Sequence, residues 1–338
     1  MDKIIITGYD GQDARLIFGL LKNKPHSYII LVKNGNGPNK FYPNCEVREL
    51  DITDKNKVDC LVRDVEPDYF INFAGLSSNS LSWEDPESYI NVNCLSVLYQ
   101  LDAIKKFAKD CKYFNAGSVL QMKRDFDNRF SPRTPYAASK CCAHWFVDFY
   151  RKKYGLNACQ GILSQHESEL RPANFLFGKV INESLAINKK ATNNEFFNPI
   201  QIRDINAQVD WSSARDVVNQ IWENLQEEKL EDFIIKSGEV FKVKDLLEIV
   251  FRELGFDFFW KDGKMIVSDY LADISGMKSL ILVEETKIEP QQKDKPLINN
   301  FKWTISEDWK DLDGIVKEIL SKKDVRKHSR EEREPDPF

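Results

Sequence analysis

Residues 3–21 have the sequence KIIITGYDGQDARLIFGLL, which predicts a strand, a tight loop and a helix in succession. Lys3 to Thr7 form a short apolar run of the kind that is buried in parallel sheets. Gly8, Gly11 and Ala14 then make a G-x-x-G-x-x-A pattern before the helix. Glycines let the backbone turn sharply and approach a pyrophosphate, which the amide donors and positive dipole of a helix N-terminus attract. We therefore expect a phosphate-binding loop here, with an ordinary glycine turn as the alternative.

Strands and helices alternate after this start. Apolar runs predict five further strands, at residues 28–33, 47–50, 68–74, 112–116 and 158–163. Apolar residues at helical spacing predict helices at 56–65, 86–108 and 134–154. Such alternation implies an α/β fold with a doubly wound parallel sheet and right-handed crossovers, a Rossmann domain over residues 1–163.

The regular alternation ends near residue 164. Helices are predicted at residues 174–188, 214–226, 244–254 and 307–320, with a short strand at 233–236 and mixed structure at 201–211. We expect residues 164–321 to form mainly a smaller C-terminal α/β lobe that binds substrate, with some later segments returning to the first domain. Residues 322–338 are charged and contain proline, which predicts a disordered tail.

Composition excludes several classes of function. The 338 residues carry a net charge of −5 without a basic stripe, so nucleic acid is not an expected partner. No apolar run approaches the roughly 20 residues of a membrane helix. The first strand follows Met1 directly, which leaves no room for a signal peptide, and we expect a cytoplasmic protein. Seven scattered cysteines without C-x-x-C spacing favour reduced thiols over disulfides or zinc, and no metal site is predicted.

A tyrosine and a lysine four residues apart, Tyr136 and Lys140, lie near the start of the helix predicted at 134–154. At this spacing both side chains leave the same face of a helix. The ammonium charge favours the phenolate, so that Tyr136 can take or give a proton near neutral pH. The pair alone is a weak signal because it also occurs on solvated helices. The phosphate-binding loop upstream favours the acid–base role.

The end of the second strand bears on the choice of cofactor. Lys33 stands where an acidic residue would hold a ribose 2′-hydroxyl, and a basic residue can hold a 2′-phosphate. This favours NADP, with NAD possible and a solvated lysine as the alternative for Lys33. Asp51, after the third strand, is predicted either to contact the adenine edge or to cap the following helix.

Several segments together resemble a known family. They are residues 154–168, YGLNACQGILSQHES, residues 132–137, PRTPYA, the triplet at 209–211, VDW, and residues 232–239, DFIIKSGE. They resemble extended short-chain dehydrogenases/reductases and, within these, the GDP-mannose 4,6-dehydratase family. The likeness runs from Ile6 to the last predicted helix and thins after about Asp262.

The resemblance implies a reaction and a site. In the family a bound nicotinamide takes hydride from sugar carbon 4, water is eliminated across carbons 5 and 6, and the hydride returns to carbon 6. The implied catalytic residues are Tyr136, Lys140 and Ser118. The implied cofactor-binding residues are Thr7, Gly8, Gly11, Gln12, Asp13, Lys33, Asp51, Ile52, Ala74, Tyr136, Lys140 and His166. The implied substrate-binding residues are Ser77, Ser78, Glu167, Arg171, Asn174, Lys179, Arg203 and Arg215. The expected substrate is a nucleotide-sugar, which is GDP-linked in the family. The resemblance also implies assembly as a homodimer or homotetramer.

The chain departs from the family pattern where the dehydration chemistry belongs. Aligned without gaps, Gly117 replaces the family's active-site threonine and Val119 replaces its catalytic glutamate. Ser118 supplies the hydroxyl if the loop shifts by one residue, and Asp125 or Asp127 would have to supply a carboxylate. Elimination needs such a carboxylate, because the carbon 5 proton must be removed.

Three hypotheses follow from this departure. The first is hydride transfer at carbon 4 without dehydration, by a reductase, dehydrogenase or epimerase. The second is a true 4,6-dehydratase with a relocated base, and the third is a non-catalytic relative that binds NADP or a nucleotide-sugar. Of the family's pyrophosphate-binding arginines only Arg171 survives, which leaves other nucleotide-sugars open, although Lys179, Arg203 or Arg215 would compensate.

Overall fold

The computed structural model describes residues 2–22, 24, 27–33, 45–122, 132–193, 195–267, 281–285, 302–304 and 309–323. Two compact units contain them. The first comprises the described residues within 1–166, 214–236 and 294–306, and the second those within 167–213, 237–293 and 307–338. Asp125, Asp127 and residues 324–338 of the predicted tail lie outside the described residues.

The regular elements have the following bounds. The strands are β1 (Asp2–Thr7), β2 (Ser27–Lys33), β3 (Cys45–Glu49), β4 (Tyr69–Asn72), β5 (Lys112–Ala116), β6 (Ala158–Leu163), β7 (Gln165–Glu167), β8 (Ile200–Ile202), β9 (Gln208–Val209), β10 (Trp211–Ser213), β11 (Phe233–Ile235), β12 (Phe241–Lys242), β13 (Phe258–Lys261), β14 (Lys264–Val267), β15 (Ile281–Glu285) and β16 (Lys302–Thr304). The α-helices are α1 (Gln12–Leu21), α2 (Lys55–Val65), α3 (Pro86–Ile90), α4 (Ser96–Phe107), α5 (Pro135–Tyr154), α6 (Leu176–Thr192), α7 (Ala214–Gln226), α8 (Val243–Glu253) and α9 (Leu312–Ser321).

The first unit is built on a parallel sheet with the strand order β16-β11-β6-β5-β4-β1-β2-β3. Its apolar strands are buried, including Ile4 to Ile6 of β1 and all of β6, as parallel sheets with covered faces require. The direction of strand succession reverses between β1 and β4, where Thr7 pairs with Asn72. Ligands of such sheets bind outside the carboxyl ends of the strands at this reversal. The prediction of a doubly wound α/β sheet is confirmed.

The helix predicted at residues 86–108 is interrupted. After α3 the backbone makes one π-helical segment, Asn91–Leu95, before α4 continues. Such insertions are frequent at functional sites. This one accompanies the burial of Asn93, whose amide oxygen accepts the backbone N–H of Leu76 at 2.8 Å and whose Nδ2 donates to Ser139 Oγ at 3.0 Å. The helix predicted at residues 86–108 is present, and its π-helical segment was not predicted.

The second unit has its own sheet and core. Strands β13-β14-β15-β8 form a four-stranded sheet, and helices α6, α8 and α9 contribute apolar faces to the same core. The sequence predicted neither β13 to β15 nor this sheet. The last helix begins at Leu312 rather than at 307, because Asp311 caps it by accepting the N–H of Gly314 at 2.8 Å. Within the described part of the chain, no helix is long and apolar enough to span a membrane.

Candidate functional site

The glycine loop closes against the end of β4. Gly8 has a φ of +79°, and a Cβ there would lie 2.8 Å from the backbone nitrogen of Ala74. Only glycine satisfies both conditions. Gly11 donates its N–H to the Gly8 carbonyl at 2.8 Å, and Ala14 is buried where the loop passes into α1. Thr7 Oγ1 accepts the N–H of Ala74 at 3.1 Å, which ties the loop to β4.

Tyr136 and Lys140 lie in the first turns of α5. Thr134 caps this helix by accepting the N–H of Ala137 at 3.1 Å, and Pro135 occupies its first position. Tyr136 is 8% exposed and Lys140 is 7% exposed. Lys140 Nζ donates to the carbonyl of Ala116 at 2.8 Å, at the end of β5. Burial lowers the pKa of Lys140 to about 8, and the charge of Asp13 acts in the opposite direction.

The end of β5 has no room for a side chain at residue 117. Gly117 donates its N–H to the Gly161 carbonyl at 2.7 Å and so continues the strand pairing. A Cβ on Gly117 would lie 2.4 Å from Gln160 Nε2 and 2.7 Å from Gln121 Oε1. The hydroxyl available at this strand end is therefore that of Ser118, which is buried and accepts the N–H of Leu120 at 3.3 Å.

The side chain of Val119 is half-buried. It packs against a small apolar cluster of Met122, Ile162 and Ile234. A carboxylate at this position would lie partly against apolar groups, which disfavour its charged form. The residue that replaces the family's glutamate in the ungapped alignment is thus a packing residue.

His166 connects the segment after β6 to the glycine loop. Its Nε2 lies 3.0 Å from both carboxylate oxygens of Asp13, and its Nδ1 lies 2.7 Å from the Ser164 carbonyl. Gln12 Nε2 donates to the His166 carbonyl at 3.0 Å. Both ring nitrogens of His166 thus face acceptors, an arrangement that a doubly protonated ring satisfies. Three of the residues expected at the cofactor lie together here.

The remaining candidates of the first unit are more scattered. Asp51 accepts the N–H and hydroxyl of Thr53, while Asp54 caps α2, so the alternative of Asp51 as the helix cap is wrong. Lys33 ends β2, and its side chain lies outside the description. The other candidates are Ile52, which is half-buried, Ser77, which is exposed, Ser78, whose Oγ accepts the N–H of Leu81, and Arg215 in α7.

The candidates of the second unit include one buried ion pair. Glu167, 4% exposed, accepts from Arg171 Nε at 2.6 Å, and the Arg171 guanidinium lies 4.9 Å from the centre of the Phe175 ring. Lys179 Nζ donates to the carbonyl of Gln201 in β8 at 2.7 Å. Arg203, one residue after β8, and Asn174 are exposed. Because Arg171 is already paired, Lys179 and Arg203 are the more available cations.

Sequence reasoning missed buried polar residues beside this site, Asn93, Gln121, Gln160 and His144 among them. The one available signal is a polar residue on an apolar helical stripe, which holds for Asn93 and His144. Nothing in the local sequence marks Gln121 and Gln160.

The fold and the Tyr136–Lys140 site define an extended short-chain dehydrogenase/reductase. Solved structures agree on the fold: Bordetella bronchiseptica WbmH in complex with NAD+ has a TM-score of 0.69 at 16% identity, covering 95% of this chain and 98% of that one. RMD from Pseudomonas aeruginosa complexed with NADPH has a TM-score of 0.65 at 17% identity, covering 95% and 98%.

Sequence comparisons identify one family within this superfamily. The family model for GDP-mannose 4,6 dehydratase matches residues 5–315. The chain is also 30% identical to GDP-mannose 4,6 dehydratase from Dictyostelium discoideum over an alignment that covers 94% of each protein. The chain belongs to the GDP-mannose 4,6-dehydratase family and is an enzyme of the short-chain dehydrogenase/reductase superfamily.

Proposed function

We propose that this enzyme uses a bound nicotinamide for hydride transfer at carbon 4 of a nucleotide-sugar, as a reductase, dehydrogenase or epimerase, without dehydration. The observation that carries the proposal is the end of β5, where Ser118 is retained and Val119 packs into an apolar cluster. Tyr136 would move the hydroxyl proton, and Lys140, beside the Ala116 carbonyl, would support its phenolate. The cofactor, when bound, would supply the hydride acceptor or donor.

The proposed cofactor is NADP(H), with NAD as the alternative. The pocket for its phosphates would be the loop at Gly8 and Gly11, where a Cβ at Gly8 would collide with β4. The structural relatives were solved with NAD+ and with NADPH, so the superfamily uses both. Lys33 favours the 2′-phosphate form. Lys33→Ala should weaken NADPH binding more than NADH binding in fluorescence titrations, and exposed Lys22→Ala is the matched control.

The proposed substrate is a GDP-sugar, as in the relative from Dictyostelium discoideum. Its phosphates would be held by cations of the second unit. Lys179 and Arg203 both belong to the region of β8, since Lys179 Nζ binds the carbonyl of Gln201, two residues before Arg203. Arg171 is neutralised by Glu167 and would contribute less charge. Other nucleotide-sugars remain alternatives.

We also propose that the chain assembles as a homodimer or homotetramer through α5. Trp145 and Phe149, four residues apart on this helix, are 56% and 51% exposed. Large apolar side chains in one patch are typical of protein interfaces.

The test is incubation with GDP-mannose and related nucleotide-sugars, with and without NADPH, followed by chromatography and product mass, because an epimer differs from the substrate in retention and not in mass. A product that differs by two hydrogens, or an epimer of unchanged mass, supports the proposal. A product that has lost one water refutes it and establishes the dehydratase, which family membership favours as the second candidate. Tyr136→Phe should abolish turnover while NADPH still binds. Tight NADPH binding without turnover of any substrate would favour a binding protein.

A further inference from the structure

A row of buried polar side chains runs across the first unit from the glycine loop towards α5. Thr7 Oγ1 accepts from the Ala74 N–H and donates to Asn72 Oδ1 at 2.5 Å. Asn72 Nδ2 donates to Asn115 Oδ1 at 2.7 Å, and Asn115 Nδ2 donates to Gln160 Oε1 at 2.6 Å. We call the full set the amide row; its members are Thr7, Asn72, Asn115, Gln160, Gln121 and His144. Every hydrogen bond in it points the same way, so each amide orients the next.

The last steps of the amide row determine a histidine tautomer. Gln121 Oε1 accepts from two donors, the backbone N–H of Ser118 at 3.1 Å and Nε2 of Gln160 at 3.3 Å. A flipped amide would set its NH2 group against both, so Gln121 presents Nε2 to His144 Nδ1 at 3.1 Å. Nδ1 must then accept, and the ring carries its proton on Nε2. That nitrogen faces Asp232 Oδ2 at 3.6 Å.

His144 sits among charges that nearly balance. Asp232 faces the ring from the segment before β11, and Asp148, Arg151 and Lys152 follow on its own helix, α5. Arg151 binds both oxygens of Asp232, at 2.7 and 2.9 Å. Burial lowers the pKa of His144; the two carboxylates oppose this effect, and the two cations add to it. The neutral ring that the hydrogen bonds require is therefore also the form that burial favours.

We propose that Gln121 is a positioning residue for Ser118, and that the neutral His144 ring holds the Gln121 amide in the orientation that Ser118 needs. The inference rests on the proposed function only in placing Ser118 at the active site. A proton on Nδ1 would turn the acceptor of Gln121 Nε2 into a donor. The amide would lose its partner, and the Ser118 N–H would lose a fixed acceptor. The same strand end supplies the Ala116 carbonyl that binds Lys140.

The first experiment measures the protonation of His144 by 15N NMR of the imidazole nitrogens in the full chain. The four histidines are few enough to resolve, and His144→Gln assigns the signal. The native ring should be neutral near pH 7 with its proton on Nε2. Gln121→Glu keeps the acceptor for Ser118 but cannot donate to Nδ1, so His144 should become an imidazolium between two carboxylates. Gln100→Glu, the same change at another buried glutamine, should leave the His144 ring neutral. A native Nδ1–H ring, or a neutral ring in Gln121→Glu, overturns the proposal.

The second experiment separates positioning from a purely structural role. Gln121→Leu removes all three hydrogen bonds of this amide, and loss of the one from the Ser118 N–H should lower kcat with the nucleotide-sugar about tenfold, while the Kd for NADPH stays within about twofold. Gln121→Glu should keep kcat within about threefold, because Ser118 retains its acceptor. Equal losses of kcat in both variants would overturn the positioning role. A native chain that binds NADPH without turning over any nucleotide-sugar would refute the proposed function, and the NMR result would still decide the state of His144.

Discussion

Replacing Lys140 by methionine isolates the energetic effect of burying its ammonium group. Lys140 is 7% exposed, and burial lowers its pKa from 10.5 to about 8 against the charge of Asp13. Each pKa unit corresponds to about 1.36 kcal/mol. The difference of about 2.5 units means that folding disfavours the charged lysine by about 3 kcal/mol near pH 7.

The sign of the pH dependence follows from the direction of the shift. The folded pKa lies below the unfolded value, so the unfolded chain binds more protons between about pH 8 and 10.5, and this residue makes the folded state more stable as pH rises through that window. Methionine does not titrate. Relative to the native chain, Lys140→Met should therefore lose about 3 kcal/mol between pH 7 and pH 11. The hydrogen bond to the Ala116 carbonyl is lost in the variant at both pH values, so its effect cancels in the difference between them.

The assay is urea unfolding of the cofactor-free protein at both pH values. Near pH 7 the Met variant should be about as stable as the native chain or more stable. Removing the buried ammonium charge stabilises the fold by about 3 kcal/mol, and this offsets the cost of about 1–3 kcal/mol for leaving the Ala116 carbonyl without its partner. At pH 11 it should be less stable. Lys22→Met, at an exposed lysine after α1, is the control for losing a lysine as such. Equal destabilisation by Lys140→Met at both pH values would show that folding does not lower the pKa of Lys140.

Three further predictions concern packing, acid stability and assembly. Gly117→Ala should destabilise the fold by about 2 kcal/mol, because the added Cβ would overlap the Gln160 side chain. In the Gln160→Ala background the same change should cost at least about 1 kcal/mol less; additivity within about 0.5 kcal/mol in a double-mutant cycle, measured by urea unfolding, would contradict this overlap. Burial raises the pKa of Glu318, but hydrogen bonds from Lys310 and Lys322 outweigh it and hold the pKa at about 2. Glu318→Gln should therefore cost about 1 kcal/mol at neutral pH and clearly less near pH 2, where the folded carboxylate is partly protonated, by urea unfolding. An undiminished loss at pH 2 would argue against this. Phe149→Glu should lower the mass measured by light scattering, whereas Glu223→Gln on α7 should not; an unchanged mass would exclude the α5 face as the interface.

Much of the first unit could be predicted because its signals are local. A strand, two glycines and a small residue specify the loop at Gly8, since sharp turning and close approach depend on those residues alone. The helix with Tyr136 and Lys140 follows from apolar spacing, Thr134 and Pro135. The π-helical segment at Asn93 could not be predicted, because it depends on the partners Leu76 and Ser139. The sheet of the second unit was missed because its strands are short and β8 lies far before β13 along the chain. The Asp262-Gly263 turn between β13 and β14 was an available hairpin signal.

Residue types and their spacing were enough to predict the parallel sheet, the glycine loop, the Tyr136–Lys140 pair and the absence of a carboxylate at Val119. These depend on residue type and on periods of two to four residues. The packed structure was needed to show that Gly117 has no space for a side chain and that Lys140 is buried enough to lower its pKa. It also brought Gln121, Gln160 and His144 into one hydrogen-bonded row. The reason is physical: burial and hydrogen-bond direction are set by neighbours that meet only when β5, β6 and α5 pack together.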